Sequence, residues 1–364
     1  MASYIRADHV GSLLRPAKLL QARQTGMATE ELRALENKFI LAVFKRQQEI
    51  GLDIFTDGEL RRRNFMSDFV DAVSGFDTAD AVARSWSGTS SSTPVSSVTG
   101  IVTEKLRQIR PLTGHEVPFL QDHAFGKFKI TLPSATQFPA ISYKRGITDK
   151  VYSTPSALLS AIVEIMKEEL RDLSSKGVSY IQIDAPRYSY YIDPKWREWM
   201  RSEIGQDPDV ALKESVAADN ACLEAARHPG VTLAMHLCRG NNRSHWYAEG
   251  GYDAVAEQLF GTLAVDRFLL EYDDERSGTL EPLRFVPPGK TVVLGLVSSK
   301  RPELEKKNNL IQRIKEASRY VRLENLALSP QCGFASTAEG NLLSEEEQWA
   351  KLRLVVETAR EVWN

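Results

Sequence analysis

Short β-branched, apolar runs alternate along this chain with longer amphipathic segments. That alternation confines it to parallel βα architectures, because a crossover helix returns each strand parallel to the last. Eight runs can be counted: 4–13, 53–57, 128–132, 180–183, 231–237, 267–271, 291–297 and 326–329. Between them lie helices with recognisable ends. Thr154 and Pro155 stand where an N-cap and a first helical residue belong, and their helix is expected to run to Lys176 and stop at Gly177. Thr29 precedes Glu30, Glu31 and an amphipathic run to Gly51, while Ser344 with Glu347 reads as a capping box opening the last helix. Eight strands with their helices in 364 residues predict an α/β fold, a single (β/α)8 TIM barrel over 1–364. An open doubly wound sheet would need a phosphate-binding glycine fingerprint, and neither GxGxxG nor GxxxxGK[ST] occurs. The rhythm breaks at 77–118, which holds the Ser/Thr-rich run Ser87–Ser97 and alternating residues near Val98–Val102. That stretch is expected to form a lid or hairpin inserted after the second strand.

Composition narrows the function. Lys and Arg number 46 against 48 Asp and Glu, a net charge of -2 that leaves no electrostatic footprint for nucleic acid. No run approaches the roughly 20 apolar residues of a membrane span, and the charged first residues lack the apolar core of a signal peptide. Three cysteines, Cys222, Cys238 and Cys332, cannot make a disulfide framework and fit a reducing, cytoplasmic compartment.

In a βα barrel, chemistry collects at the C-terminal ends of the strands. The fifth run ends in His236 and Cys238, two apart and therefore on one face; the eighth leads into Cys332; the sixth ends in Glu271, with Asp273 beyond it. Together His236, Cys238, Glu271 and Cys332 can offer one zinc ion a tetrahedral shell, whose thiolates disfavour magnesium and calcium. Cys222, on the apolar side of a helix, reads instead as a small core residue, and the acidic run Asp273–Glu275 as a helix N-terminus. The first run ends in Gly11 and Ser12, whose backbone can approach a ligand closely. The second leads to Glu59 and the fourth to Asp184, carboxylates suited to a substrate ammonium or to salt bridges with Arg61, Arg62, Arg187 or Arg239. Arg239 can itself bind a substrate carboxylate or sulfonate, or be solvated. Tyr188, Tyr190 and Tyr191 can wall a pocket or cover the rim.

The ordered set Asp8-His-Val-Gly-Ser-Leu-Leu-Arg-Pro, Thr56-Asp-Gly-Glu-Leu-Arg-Arg, Ile181-Gln-Ile-Asp, His236-Leu-Cys, Glu271 and Ser329-Pro-Gln-Cys-Gly-Phe resembles the catalytic C-terminal barrel of cobalamin-independent methionine synthase, most closely its single-barrel relatives. The resemblance implies zinc on His236, Cys238, Glu271 and Cys332, and homocysteine held by Gly11, Ser12, Glu59 and Asp184, with the carboxylates on its amino group. It also implies methyl transfer that gives methionine, from a small-molecule alkyl donor to a small-molecule thiol. A thiol titrating near 8.5 is mostly protonated at neutral pH, and a zinc with two thiolates and one carboxylate favours its ionisation and alkylation over activation of water.

Two departures concern the donor. In Thr131-Leu-Pro-Ser-Ala-Thr-Gln-Phe the tryptophan expected on the folate side is absent, with Gln137 or Phe138 nearby, and Val297 stands where the synthase has a histidine near the end of the seventh strand. A methyltetrahydrofolate donor needs an acid for its amine leaving group, so the donor stays open. Two other readings compete: opening of an epoxide or another alkyl transfer to a sulfonated coenzyme thiol, with Arg239 and Arg187 on the sulfonate and Glu59 and Asp184 left without an ammonium, and a non-catalytic thiol- or zinc-binding barrel.

Overall fold

The computed structural model describes residues 5–80 and 100–363; the Ser87–Ser97 run, Tyr4, Val98 and Thr99 lie outside the described residues. An antiparallel pair comes first, β1 (Val73–Asp77) and β2 (Ile101–Gln108), with Val73 opposite Gln108 and Asp77 opposite Ile101. The main sheet follows: β3 (Ile130–Pro133), β4 (Tyr180–Asp184), β5 (Thr232–Leu237), β6 (Arg267–Glu271), β7 (Thr291–Val297) and β8 (Leu326–Pro330). Each is hydrogen-bonded in parallel to the next, in chain order, giving a mixed α/β fold around a six-stranded parallel sheet.

The first two expected strands are not regular strands. Ala7 makes a single parallel bridge to Leu328, and Phe55 one to Phe128, so these runs flank the two edges of the sheet. The reason is that side chains occupy their backbone groups. Asp53 Oδ2 accepts from the N–H of Arg6 (2.7 Å) and of Ala7 (2.9 Å), Gln47 pairs with both N–H and C=O of Thr56, and Thr56 Oγ1 donates to Gly11 O. A continuous ladder would need those same groups.

Period two decides what each strand presents. Ile181, Ile183, Leu233, Met235, Leu237, Phe268 and Leu270 enter the large core under the helices. The alternate positions Tyr180, Ala234, Leu269, Val293 and Ala327 meet Ile5, Val10 and Ile54 in a second, smaller cluster. Asp184, His236 and Glu271 continue that second face at the strand ends.

The helix signals hold in detail. Thr154 Oγ1 accepts from Ala157 N at 3.1 Å, the helix Pro155–Ser175 follows, and Gly177 beyond it has φ +79°. Ser344 and Glu347 exchange reciprocal bonds of 3.2 and 2.6 Å. Thr29 is the first helical residue of Thr29–Ile50 rather than its cap, and Gly51 (φ +80°) ends that helix. Among the described residues no helix is long and apolar enough to cross a membrane.

Candidate metal centre and substrate cleft

Strand β5 delivers His236 and, one residue past its end, Cys238; the turn after β8 delivers Cys332. One ligand atom from each lies within 4.8 Å of the others, and all three residues are buried. The ring of His236 is already polarised for coordination. Its Nδ1 faces Leu269 O at 3.3 Å, which places the proton there and leaves Nε2 buried without a hydrogen-bond partner. The sulfurs are differentiated too. Their mutual hydrogen bond, ahead of burial, pushes the Cys238 thiol up and holds Cys332 well below the usual thiol range, with His236 also favouring the Cys332 thiolate. An imidazole lone pair and a thiolate beside a thiol, all three buried at the base of an open cleft, fit a soft, thiophilic cation such as zinc.

Glu271 stands outside that trio. Its Oε2 accepts from Arg239 N at 2.9 Å, while Oε1 accepts from Arg276 Nε at 3.0 Å within an ion pair to Arg276. Burial works against its charge, but Arg276, then Lys300 and Arg239, outweigh it and hold the carboxyl below its ordinary range. The neighbouring acidic run behaves as a turn start, with Asp274 capping Glu275–Ser277.

The trio opens onto a cleft of about 270 Å³, also lined by Ser12, Glu59 and Asp184. Glu59 has a left-handed backbone (φ +54°), unusual for its type, and its N–H donates to Asp57 Oδ1 at 2.8 Å. Thr131 Oγ1 donates to Glu59 Oε1 at 2.8 Å, and Oε2 is buried without a hydrogen bond. Asp184 accepts from Gln182 Nε2 at 2.8 Å. Burial drives the Asp184 carboxyl up to about 7, His236 opposing and Glu59 adding to the rise. Arg62 Nη1 lies 3.8 Å from Glu59 Oε1, so Glu59 has a cation partner, whereas among the described residues no ion pair reaches Asp184.

Gly11 is a support and not a wall. It has φ +149°, and a Cβ there would lie 2.8 Å from Glu59 Oε1 and 2.9 Å from Thr131 Cγ2. Gly333 plays the same part for Ser12, whose Oγ would be 2.0 Å from an added Cβ.

Other expectations need correction. Arg239 is wholly buried, donates to Gly250 O at 2.7 Å and lies 4.0 Å from the centre of the Tyr252 ring, so it is neither solvated nor open to a substrate. Tyr188 and Tyr191 bond to Asp219 and Ser215, and Tyr190 stacks on Trp196; none lines this cleft, but Tyr190 and Tyr191 wall a smaller neighbouring pocket, as expected of them. Cys222, by contrast, is the buried core residue expected, on the helix Pro208–Ala226. Gln137 lines the cleft, whereas Phe138 packs on Phe69; Val297 is buried in the large core.

The sequence reading missed Asn241, Ser336 and Lys300. Asn241 Nδ2 donates to Gly333 O and to Ser336 Oγ, Lys300 Nζ donates to Gly240 O and Asn241 Oδ1, and Ser336 Oγ lies 3.9 Å from Cys332 Sγ. Asn241 and Lys300 each lie three residues past a feature already singled out, Cys238 and Val297, so a wider search of the strand ends would have found them.

A sequence model described as the catalytic domain of cobalamin-independent synthase matches residues 14–361. The chain is 40% identical to the uncharacterized protein YxjH of Bacillus subtilis (strain 168), covering 98% of this chain and 94% of that one. It is 25% identical to a methionine synthase of Saccharolobus solfataricus, covering 97% and 93% of the two. Among solved structures, the B12-independent methionine synthase of Shewanella sp. W3-18-1, in complex with selenomethionine, superposes with a TM-score of 0.74 at 19% identity, covering 99% of this chain and 98% of that one.

Proposed function

Because the chain belongs to the cobalamin-independent synthase catalytic-domain family, we propose that it transfers a methyl group to the sulfur of homocysteine, giving methionine, on a zinc-bearing (β/α)8 barrel. The observation that carries this reading is that His236, Cys238 and Cys332 open onto the same cleft as Glu59 and Asp184. In it the 4–13 and 53–57 runs are the first two staves of the barrel. Of the 77–118 insertion, the described ends meet in the antiparallel pair of β1 and β2, with Asp77 opposite Ile101.

His236, Cys238 and Cys332 would hold the zinc, with Glu271 at the neighbouring strand end as the fourth donor. When bound, zinc supplies a Lewis acid that ionises a thiol and leaves its sulfur nucleophilic. The chain's own residues do the rest. Glu59 and Asp184 receive the substrate ammonium, and its arrival stabilises the ionised form of Asp184. Ser12, against which Gly333 packs without a side chain, lines the cleft and faces the amino acid, so the thiol is positioned before reaction. Buried Val297 can donate no proton, so the donor we infer is one whose leaving group needs none from this strand. The selenomethionine held by the Shewanella enzyme supports a methionine-sized product. Both cysteines must stay reduced, which suits a cytoplasmic setting.

Metal analysis combined with calorimetric titration tests the reading. About one zinc per chain and saturable homocysteine binding are expected. A zinc-free protein that binds no homocysteine would overturn it.

A further inference from the structure

Five arginines are buried among the described residues: Arg15, Arg62, Arg187, Arg239 and Arg267. Four have their charge answered by the protein. Arg62 is ion-paired with Glu59, Asp68 and Glu116, and Arg267 with Asp8. Arg15 donates to the carbonyls of Glu59, Arg62, Ala335 and Thr337, and Arg239 to those of Gly250 and Ser277.

Arg187 differs. It is 5% exposed, and among the described residues its only hydrogen bond goes to the hydroxyl of Tyr190 and no carboxylate pairs with it. Its Nε is buried without an acceptor. The guanidinium carbon lies 4.7 Å from the Tyr190 ring centre and 4.9 Å from that of Tyr247, so the aromatic faces hold the group without neutralising it. A buried cation in this state is costly unless a counter-charge arrives. Arg187 also lines the cleft, whose other arginines, Arg63 and Arg243, are exposed.

We propose that Arg187 is the anion-recognition residue of this cleft, accepting a carboxylate, sulfonate or phosphate carried by a substrate. The planar fork offers such a group two parallel N–H donors. The assignment rests on the alkyl-transfer reading of the cleft for its choice of substrates. The anion has two possible sources: the carboxylate of the acceptor amino acid, or an acidic group on the methyl donor.

Calorimetry on the zinc-loaded full chain separates them, with the wild type compared with Arg187→Met and Arg187→Lys. The probes are homocysteine, 3-aminopropane-1-thiol (the same thiol and ammonium without the carboxylate), 2-mercaptoethanesulfonate, and inorganic phosphate added to protein with and without saturating homocysteine. If Arg187 holds the acceptor's carboxylate, Arg187→Met loses at least tenfold in homocysteine affinity and nothing for the aminothiol. If it holds a donor anion, homocysteine binds all three proteins alike, and the phosphate and mercaptosulfonate binding of the wild type is lost in Arg187→Met. Arg187→Lys keeps the charge without the fork and is expected to lose at least threefold in homocysteine affinity in the first case, and in phosphate and mercaptosulfonate affinity in the second; it carries the test should Arg187→Met not fold. Affinities for all four probes within twofold of wild type in the folded variants overturn the assignment. Wild-type protein that ignores homocysteine sinks the methyl-transfer reading alone, since phosphate binding in wild type against the variants still decides the role of Arg187.

Discussion

Cys238 and Cys332 share one buried cluster with His236, and Nε2 of that ring has no hydrogen-bond partner, which leaves its lone pair for a metal. Cys238→Ser and Cys332→Ser are therefore each expected to fall from about one zinc per chain to well below half, since serine is a poor ligand for a thiophilic metal. Metal analysis of the purified variants, with circular dichroism to show retained fold, checks this; full zinc in either would remove that sulfur from the site. Gly11→Ala should act differently. Its methyl group would press on Glu59 and Thr131, so homocysteine affinity should drop at least tenfold in calorimetry while zinc content stays at the wild-type level. The His-x-Cys pair was legible because period two is a rule that needs no tertiary contact. Glu271 was legible as a strand-end carboxylate, but its engagement by Arg276 and Arg239 was not: those contacts depend on how two loops fold back over the strand. Arg239 misled for the same reason, its destination being a carbonyl eleven residues away in a loop without periodicity.

Between elements, Asp219 shows how a helix is tied to the loops beside the cleft. It sits on Pro208–Ala226 and accepts from Ser134 Oγ (2.7 Å), past the end of β3, and from Tyr188 OH (2.8 Å), past the end of β4. Burial raises its carboxyl to about 7, the two hydroxyl donors opposing the rise. The native state therefore holds a proton that the unfolded chain, with an ordinary aspartate, gives up near pH 4. Asp219 contributes its full stability below that pH and loses it as pH rises through about 7. Asp219→Asn is expected to flatten the fall in urea midpoint between pH 4 and 7 relative to wild type; parallel profiles for the two proteins would remove Asp219 as its source. Helix ends were legible at Thr154 and Ser344 because caps are local chemistry. No local signal marks Asp219, whose partners lie 85 and 31 residues away.

Across the whole molecule, the parallel sheet was legible as six of eight apolar runs, and the two that failed share a cause: their backbone groups are answered by side chains. Asp53 ties down the first of these runs, since one oxygen accepts the N–H of both Arg6 and Ala7, and the chain then runs on through Gly11 and Ser12 towards the cleft. Removing it should matter at two levels. Asp53→Ala leaves two donors without their acceptor, and because the contact is only partly buried the loss should be near the low end for an unsatisfied group, about 1–2 kcal/mol in urea unfolding. Asp53→Asn keeps an oxygen in place and should recover more than half of that. If the seam also positions the first run for binding, homocysteine affinity should fall in Asp53→Ala and return in Asp53→Asn, although residue 53 is not part of the cleft lining. Lost stability with unchanged affinity would make the seam purely structural. Lost affinity that tracks the stability across both variants would show that the two irregular runs are held as they are because the cleft needs Gly11 and Ser12 where side-chain pairing, and not a regular strand, puts them.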